Sequence, residues 1–142
     1  MGRQFVLIAV LFGATGCGDG GIWSNAPNPD VENTESDTQI ANVDVGMLKS
    51  IMDVKEVVLI DVRTEIEFQG GHVPGARHIP LGQLGSQLRL IKKYRDLDVY
   101  LICATGARSL RAAQLLAESG FTNPINVAGG TNGWRNAGYP MD

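Results

Sequence analysis

The sequence predicts an α/β fold built on a small, mostly parallel sheet. Two observations carry the expectation. Val57–Ile60 is a short, continuous apolar run rich in β-branched residues, and further strand-like segments recur at Asp98–Ile102 and Asn123–Val127. A continuous run of this kind fits a strand covered on both faces, as parallel sheets require. Segments whose apolar residues repeat at helical spacing separate these runs, and strands that alternate with helices pair in parallel across their crossovers.

The elements follow in chain order. Asp44 is placed to cap a short helix carrying Val45, Leu48, Ile51 and Met52. Val57–Ile60 is the first strong strand, and Asp61-Val62-Arg63-Thr64 ends it. The turn-rich run Gly70-Gly71-His72-Val73-Pro74-Gly75 precedes a brief strand at His78-Ile79-Pro80. Leu84, Leu88 and Ile91 mark a second amphipathic helix. The strand Asp98–Ile102 leads into a helix from about Ala107 to Glu118, whose apolar face is Leu110, Ala113, Leu116 and Ala117. Gly120 suits its C-terminal cap. A third strand, Asn123–Val127, is followed by Gly129-Gly130 and a final helix around Trp134, itself expected in the core.

The first 38 residues differ in kind. Arg3 and the eight-residue apolar run Phe5–Phe12 form the positive and hydrophobic regions of a secretory signal, too short to span a bilayer. Gly13-Ala14-Thr15-Gly16 then precede Cys17, which resembles a bacterial lipoprotein signal with Cys17 as the lipid attachment site. Residue 14 departs from that pattern, being Ala where Leu is usual. The expected organisation is therefore a lipoprotein-type signal peptide over 1–16, a lipid-anchored flexible acidic tether over 17–38 and a folded domain over 39–142. Residues 19–38 hold five carboxylates and no Lys or Arg, whereas the remainder is near neutral. The expected location is the periplasmic side of a bacterial membrane, held by an N-terminal lipid; the alternative is a soluble exported protein. No basic stripe points to nucleic acid. A tethered domain of this size is expected to be a monomer.

With Cys17 acylated, Cys103 is the single free thiol. It follows a buried strand in Val99–Ser109, opens a loop of small residues and precedes Arg108 where a helix begins. A thiol of ordinary pKa, about 8.5, is only a few per cent thiolate at neutral pH, and the thiolate is the nucleophile. Inward-pointing loop N–H groups, the positive end of the helix and the charge of Arg108 all favour the anion. In parallel sheets ligand sites lie at the carboxyl ends of strands. Asp61, Cys103 and Gly129 each follow a strand, so their loops converge if those strands are neighbours.

Asp61-Val62-Arg63, Glu67-Phe68 and Gly71-His72-Val73-Pro74-Gly75-Ala76-Arg77-His78-Ile79-Pro80 together resemble the rhodanese domain. So do Cys103–Ser109, Gly120-Phe121 and Gly129-Gly130 ahead of Trp134. The resemblance covers about residues 40–141 in unbroken order. It implies a three-layer α/β fold with a five-stranded sheet flanked by helices. The implied activity is sulfur transfer through a Cys103 persulfide, from thiosulfate or a persulfide or polysulfide donor to a thiol or cyanide acceptor. Cys103 is the implied catalytic residue, and Ala104, Thr105, Gly106, Ala107 and Arg108 would hold the substrate. No organic cofactor is implied, and two histidines without clustered ligands suggest no metal site. Related phosphatases and arsenate reductases place five residues between cysteine and arginine. Here there are four, which suits a sulfur atom better than a tetrahedral phosphate.

Other residues have plainer expectations. Asp61 and Arg63 are read as support, an ion pair holding strand-end loops. His72 is expected to bond the backbone, and Gly129 and Gly130 to allow unusual dihedrals. Ala104 stands where many members carry a charged or large polar residue, which weakens the expected capture of thiosulfate. The alternative function is a non-catalytic sulfur carrier or protein-binding module of the same fold.

Overall fold

The computed structural model describes residues 38–142. The expected signal segment, Cys17 and the tether through residue 37 lie outside the described residues. Among those described, the strands are β1 (Ala41–Asp44), β2 (Val58–Asp61), β3 (Arg77–His78), β4 (Asp98–Ile102) and β5 (Asn123–Ala128). They form one sheet in the order β1-β5-β4-β2-β3, and every pairing is parallel. The helices are α1 (Val45–Met52), α2 (Glu65–Gln69), α3 (Leu81–Leu84), α4 (Leu88–Ile91), α5 (Ala107–Glu118) and α6 (Gly130–Asn136), with a 3-10 turn at Lys92–Tyr94.

The alternation of a strand divides the core in two. Val99, Leu101 and Cys103 face one side of the sheet with Ile60 and Val62, beneath Leu84, Ile91, Ala112, Ala113 and Leu116. Tyr100, Ile102, Leu59, Ile125 and Val127 face the other, against Leu48 of α1 and Trp134 of α6. The result is three layers, with α3, α4 and α5 on one face and α1 and α6 on the other. Trp134 is buried and donates from its indole nitrogen to the Pro140 carbonyl at 2.8 Å.

Several elements differ from the sequence expectation for identifiable reasons. β1 has no apolar run and is mostly exposed; it is recruited by pairing with β5 rather than by its own composition. α2 is announced only by a capping box, in which Thr64 accepts from the Glu67 N–H and Glu67 accepts from the Thr64 N–H. The helix expected through Leu84, Leu88 and Ile91 is broken into α3, α4 and the 3-10 turn. Gly85 and Ser86 interrupt it, and both are weaker helix formers than the flanking leucines. The brief third strand sits slightly earlier, at Arg77–His78. In α5 the buried stripe is Ser109, Ala112, Ala113 and Leu116, one residue ahead of the face expected from apolar spacing. Leu110 and Ala117 are only partly buried. A serine sits where an aliphatic side chain was expected, because it has polar partners inside.

Candidate active site

β2, β4 and β5 are neighbours, so the loops after Asp61, Ile102 and Ala128 do meet at one end of the sheet. Cys103 lies at their centre, buried, its side chain continuing the alternation of β4 toward the α5 face. Its loop runs to Gly106, which holds φ +109 and lets the chain turn directly into α5. The Gly106 N–H donates to the Cys103 Sγ at 3.1 Å. Ser109, one turn into α5, places its hydroxyl 3.4 Å from the same sulfur.

Peptide planes of the loop are oriented from behind. The N–H groups of Thr131, Asn132 and Gly129 donate to the carbonyls of Cys103, Ala104 and Thr105 at 2.8, 3.0 and 3.2 Å. With its carbonyls tied to the start of α6, the loop turns its N–H groups toward the sulfur. Gly130 permits this contact. A Cβ at that position would lie 2.3 Å from the Cys103 carbonyl oxygen and 2.6 Å from the Ala104 carbonyl carbon.

Burial pushes the Cys103 thiol up, because a low-dielectric site disfavours the anion. The hydrogen bonds outweigh it. The Ser109 hydroxyl and the N–H groups of Ser109, Gly106 and Thr105 together hold the thiol below its ordinary value. Arg108 stands further back. Its guanidinium forks onto Glu67 at 2.8 and 2.7 Å, and both side chains are about one-third exposed, 37% and 35%. Glu67 raises the basicity of Arg108 most; Cys103 and Asp61 add to it. In return the bond from Arg108 is the largest influence on Glu67, and it holds that carboxyl well below the usual carboxylate range.

Two further loop residues named from the sequence, Thr105 and Ala107, are exposed at the rim, and Ala104 is half-buried beside them. Asp61 and Arg63 are not open to a ligand. Arg63 reaches both carboxylate oxygens of Asp61, at 3.0, 3.0 and 2.7 Å, and spends its remaining contact on the Gly71 carbonyl at 2.9 Å. His72 bonds the Phe68 carbonyl through Nδ1 at 3.1 Å and stacks on the Phe68 ring. Among the described residues no group of three His, Cys, Asp or Glu side chains is assembled to hold a metal ion.

A family model described as a rhodanese-like domain matches residues 44–137. The chain belongs to this family. It is 33% identical over 96 residues to a sulfurtransferase of Allochromatium vinosum, a match covering 68% of this chain and 88% of that one. An uncharacterised Bacillus subtilis protein, YqhL, is 46% identical over 80 residues, 56% of this chain; the match spans 62% of that relative's length. The solved structure of the human single-domain sulfurtransferase TSTD1 superposes with a TM-score of 0.60 at 28% identity, covering 67% of this chain and 95% of that one. The fold is the rhodanese-like α/β fold with a five-stranded parallel sheet, and the named relatives support a sulfurtransferase-type function in general terms.

Within the rhodanese-like framework, two contributors at the cysteine were not singled out from the sequence. Ser109 was legible only as part of the loop, and Asn126 not at all. The Ser109 hydroxyl donates to Asn126 Oδ1 at 2.6 Å, and Asn126 Nδ2 donates to Asn42 Oδ1 at 2.8 Å. The available signal was a polar residue between Ile125 and Val127, in the buried middle of the strand.

Proposed function

We propose that the protein is a sulfurtransferase that carries a sulfane sulfur on Cys103. With thiosulfate as donor, the Cys103 thiolate attacks the outer sulfur and the sulfur–sulfur bond of the donor breaks. Sulfite leaves with the bonding pair, and Cys103 holds a persulfide anion. An acceptor thiolate, or cyanide in an assay, then takes the outer sulfur and returns Cys103 as thiolate. Both steps balance without an external oxidant or reductant.

The observation that carries this reading is the ring of donors around one sulfur. Gly106 donates at 3.1 Å, and the N–H groups of Thr105 and Ser109 also favour the anion. Donors fixed before the reaction stabilise developing negative charge without reorganising. The four-residue spacing from Cys103 to Arg108 suits a persulfide in place of a phosphate group.

The preferred donor is a persulfide or polysulfide rather than thiosulfate. Ala104 adds no cation to the loop, and Arg108 shares its charge with Glu67, so a dianion gains little on entry. Replacing Ala104 by Arg is expected to raise kcat/KM for thiosulfate; equal values in both proteins would argue against this preference. Anchoring through a lipid on Cys17, on the periplasmic side of a bacterial membrane, is proposed from the order of Arg3, the apolar run and the small residues before Cys17. Loss of radiolabelled palmitate incorporation in Cys17→Ser tests it.

Intact mass after incubation with thiosulfate, polysulfide or a low-molecular-weight persulfide tests the central reading. A gain of one sulfur atom that is absent in Cys103→Ser supports transfer. No gain with any of the three leaves only the protein-binding module as the function.

A further inference from the structure

The Cys103 sulfur is the end of a row of polar side chains that crosses the sheet. Asn42 on β1 and Asn126 on β5 are register partners, so their amides stand side by side on the face beneath α5. Asn126 is 4% exposed and Ser109 is fully buried, whereas Asn42 is exposed at the sheet edge. The contacts run Cys103 Sγ to Ser109 Oγ at 3.4 Å, Ser109 Oγ to Asn126 Oδ1 at 2.6 Å and Asn126 Nδ2 to Asn42 Oδ1 at 2.8 Å. Asn42 Nδ2 in turn donates to the Ile40 carbonyl at 3.1 Å.

A hydroxyl has one hydrogen and two lone pairs. The Ser109 hydroxyl is within donating reach of both Asn126 Oδ1, at 2.6 Å, and Cys103 Sγ, at 3.4 Å; when its one hydrogen goes to the nearer Asn126, a lone pair faces the sulfur. That pattern suits a neutral thiol, whose S–H donates to Ser109. A thiolate or persulfide anion needs the opposite, a hydrogen directed at sulfur. Ser109 supplies it only when Asn126 stops accepting. Turning both amides does this: Asn42 Nδ2 donates to Asn126 Oδ1, Asn126 Nδ2 donates to Ser109 Oγ, and Ser109 donates to Sγ. Each contact in the row survives with its direction reversed. The one bond given up is that of exposed Asn42 to the Ile40 carbonyl, at a site where water is at hand. Asparagine alone among residues of this size has a donor and an acceptor on one planar group, so the exchange fits the same space.

We propose that Asn42, Asn126 and Ser109 form a reversible hydrogen-bond relay that matches Cys103 in both its neutral and anionic forms, with Asn126 as the positioning residue. The inference rests on Cys103 being the reacting group. On ionisation the proton leaves to a base in solution, and the relay changes direction as it goes. An apolar residue at 126 would leave the row without this exchange. A carboxylate there would fix it in the accepting direction. The charged groups around the thiol are Arg108 on α5, Glu67 on α2 and the Asp61–Arg63 pair at the end of β2, and they are the same in every variant below.

The test is the pH dependence of iodoacetamide modification of Cys103 in the full chain, read on its own peptide by mass spectrometry. It reports the thiol directly, so a protein that failed to transfer sulfur would still answer it. Asn126→Asp, which only accepts, is expected to raise the midpoint by about one pH unit, tenfold in thiolate fraction. Asn126→Leu releases the Ser109 hydrogen to the sulfur and is expected to leave the midpoint at or below that of the wild type. In a Ser109→Ala background both substitutions are expected to lose most of their effect. Asn42→Asp, at an exposed position that tolerates change, holds Asn126 in the accepting direction and is expected to raise the midpoint by a smaller, Ser109-dependent amount. The relay is overturned if the Asp and Leu variants at 126 move the midpoint the same way. It is equally overturned if the shifts from Asn126→Asp and Asn42→Asp persist undiminished without Ser109, for then they act as charge through space.

Discussion

Arg63 and Arg108 both fork onto a carboxylate at the carboxyl end of the sheet, one in the loop after β2 and one in the first turn of α5. Their surroundings make them different devices. The Arg63 and Asp61 side chains are 4% and 0% exposed, and the guanidinium also holds the Gly71 carbonyl. That pair is committed to fixing the loop, and nothing of it is left for a ligand. The Arg108 and Glu67 side chains are each about one-third exposed, at the rim of the cysteine loop. Water screens this second pair, so separating it costs little, and Arg108 keeps its charge at the rim while sharing it with Glu67. The same two functional groups serve as scaffold when dry and as a tunable field when wet.

Breaking the dry pair has the largest expected effect. Asp61→Ala leaves Arg63 buried without a partner and is expected to cost about 3–5 kcal/mol, read as a fall in the urea midpoint at unchanged slope. The apolar double variant Asp61→Leu/Arg63→Met is expected to recover most of that loss. A cost below about 1 kcal/mol for Asp61→Ala would make the two pairs equivalent and remove the contrast.

Next comes a change that disturbs the loop while sparing both arginines. Gly130→Ala puts a Cβ against the Cys103 carbonyl, where the chain also runs at φ +56. Overpacking of this kind is expected to cost about 1–3 kcal/mol and to slow Cys103 alkylation at neutral pH, measured on one sample by denaturant titration and peptide mass spectrometry.

A smaller effect separates hydrogen bonding from charge at the sulfur. Ser109→Ala removes a donor and is expected to raise the midpoint of Cys103 alkylation by about one pH unit. Arg108→Met is expected to move it less, because Glu67 already holds that cation. The reverse ranking would make Arg108 the main support of the thiolate.

The smallest effect is on the wet pair's stability. Glu67→Gln is expected to cost about 0.3–1 kcal/mol at neutral pH. Since Arg108 holds the Glu67 carboxyl below its ordinary value of about 4.5, its stabilisation is complete above that pH and fades as acid protonates the folded state. Thermal denaturation of both proteins should therefore show a gap that is constant near neutrality and narrows below about pH 4.5.

Composition and pattern carried the strands with strong apolar runs. β2, β4 and β5 were legible because each is buried on both faces, and α5 because apolar residues repeat at helical spacing up to a cap at Gly120. β1 was not legible, since its order comes from β5 and not from its own side chains. α2 had only a capping box to announce it, Thr64 with Glu67. The helix through Leu84 and Ile91 was misread because apolar spacing alone does not register the break at Gly85-Ser86.

At the site the sequence by itself determined the candidate nucleophile, the four-residue loop that follows it and the glycine that turns that loop into α5, because these depend on residues adjacent in the chain. Only the tertiary structure decided what each charge and polar group does there. It set Arg63 against Asp61 in the dry interior and Arg108 against Glu67, forty-one positions away, at the wet rim. It rotated α5 so that Ser109 faces inward, and it lined up Asn42 and Asn126 from strands far apart in the chain. Burial and partnership fix the energy of a polar side chain, and both are created only when distant segments pack together.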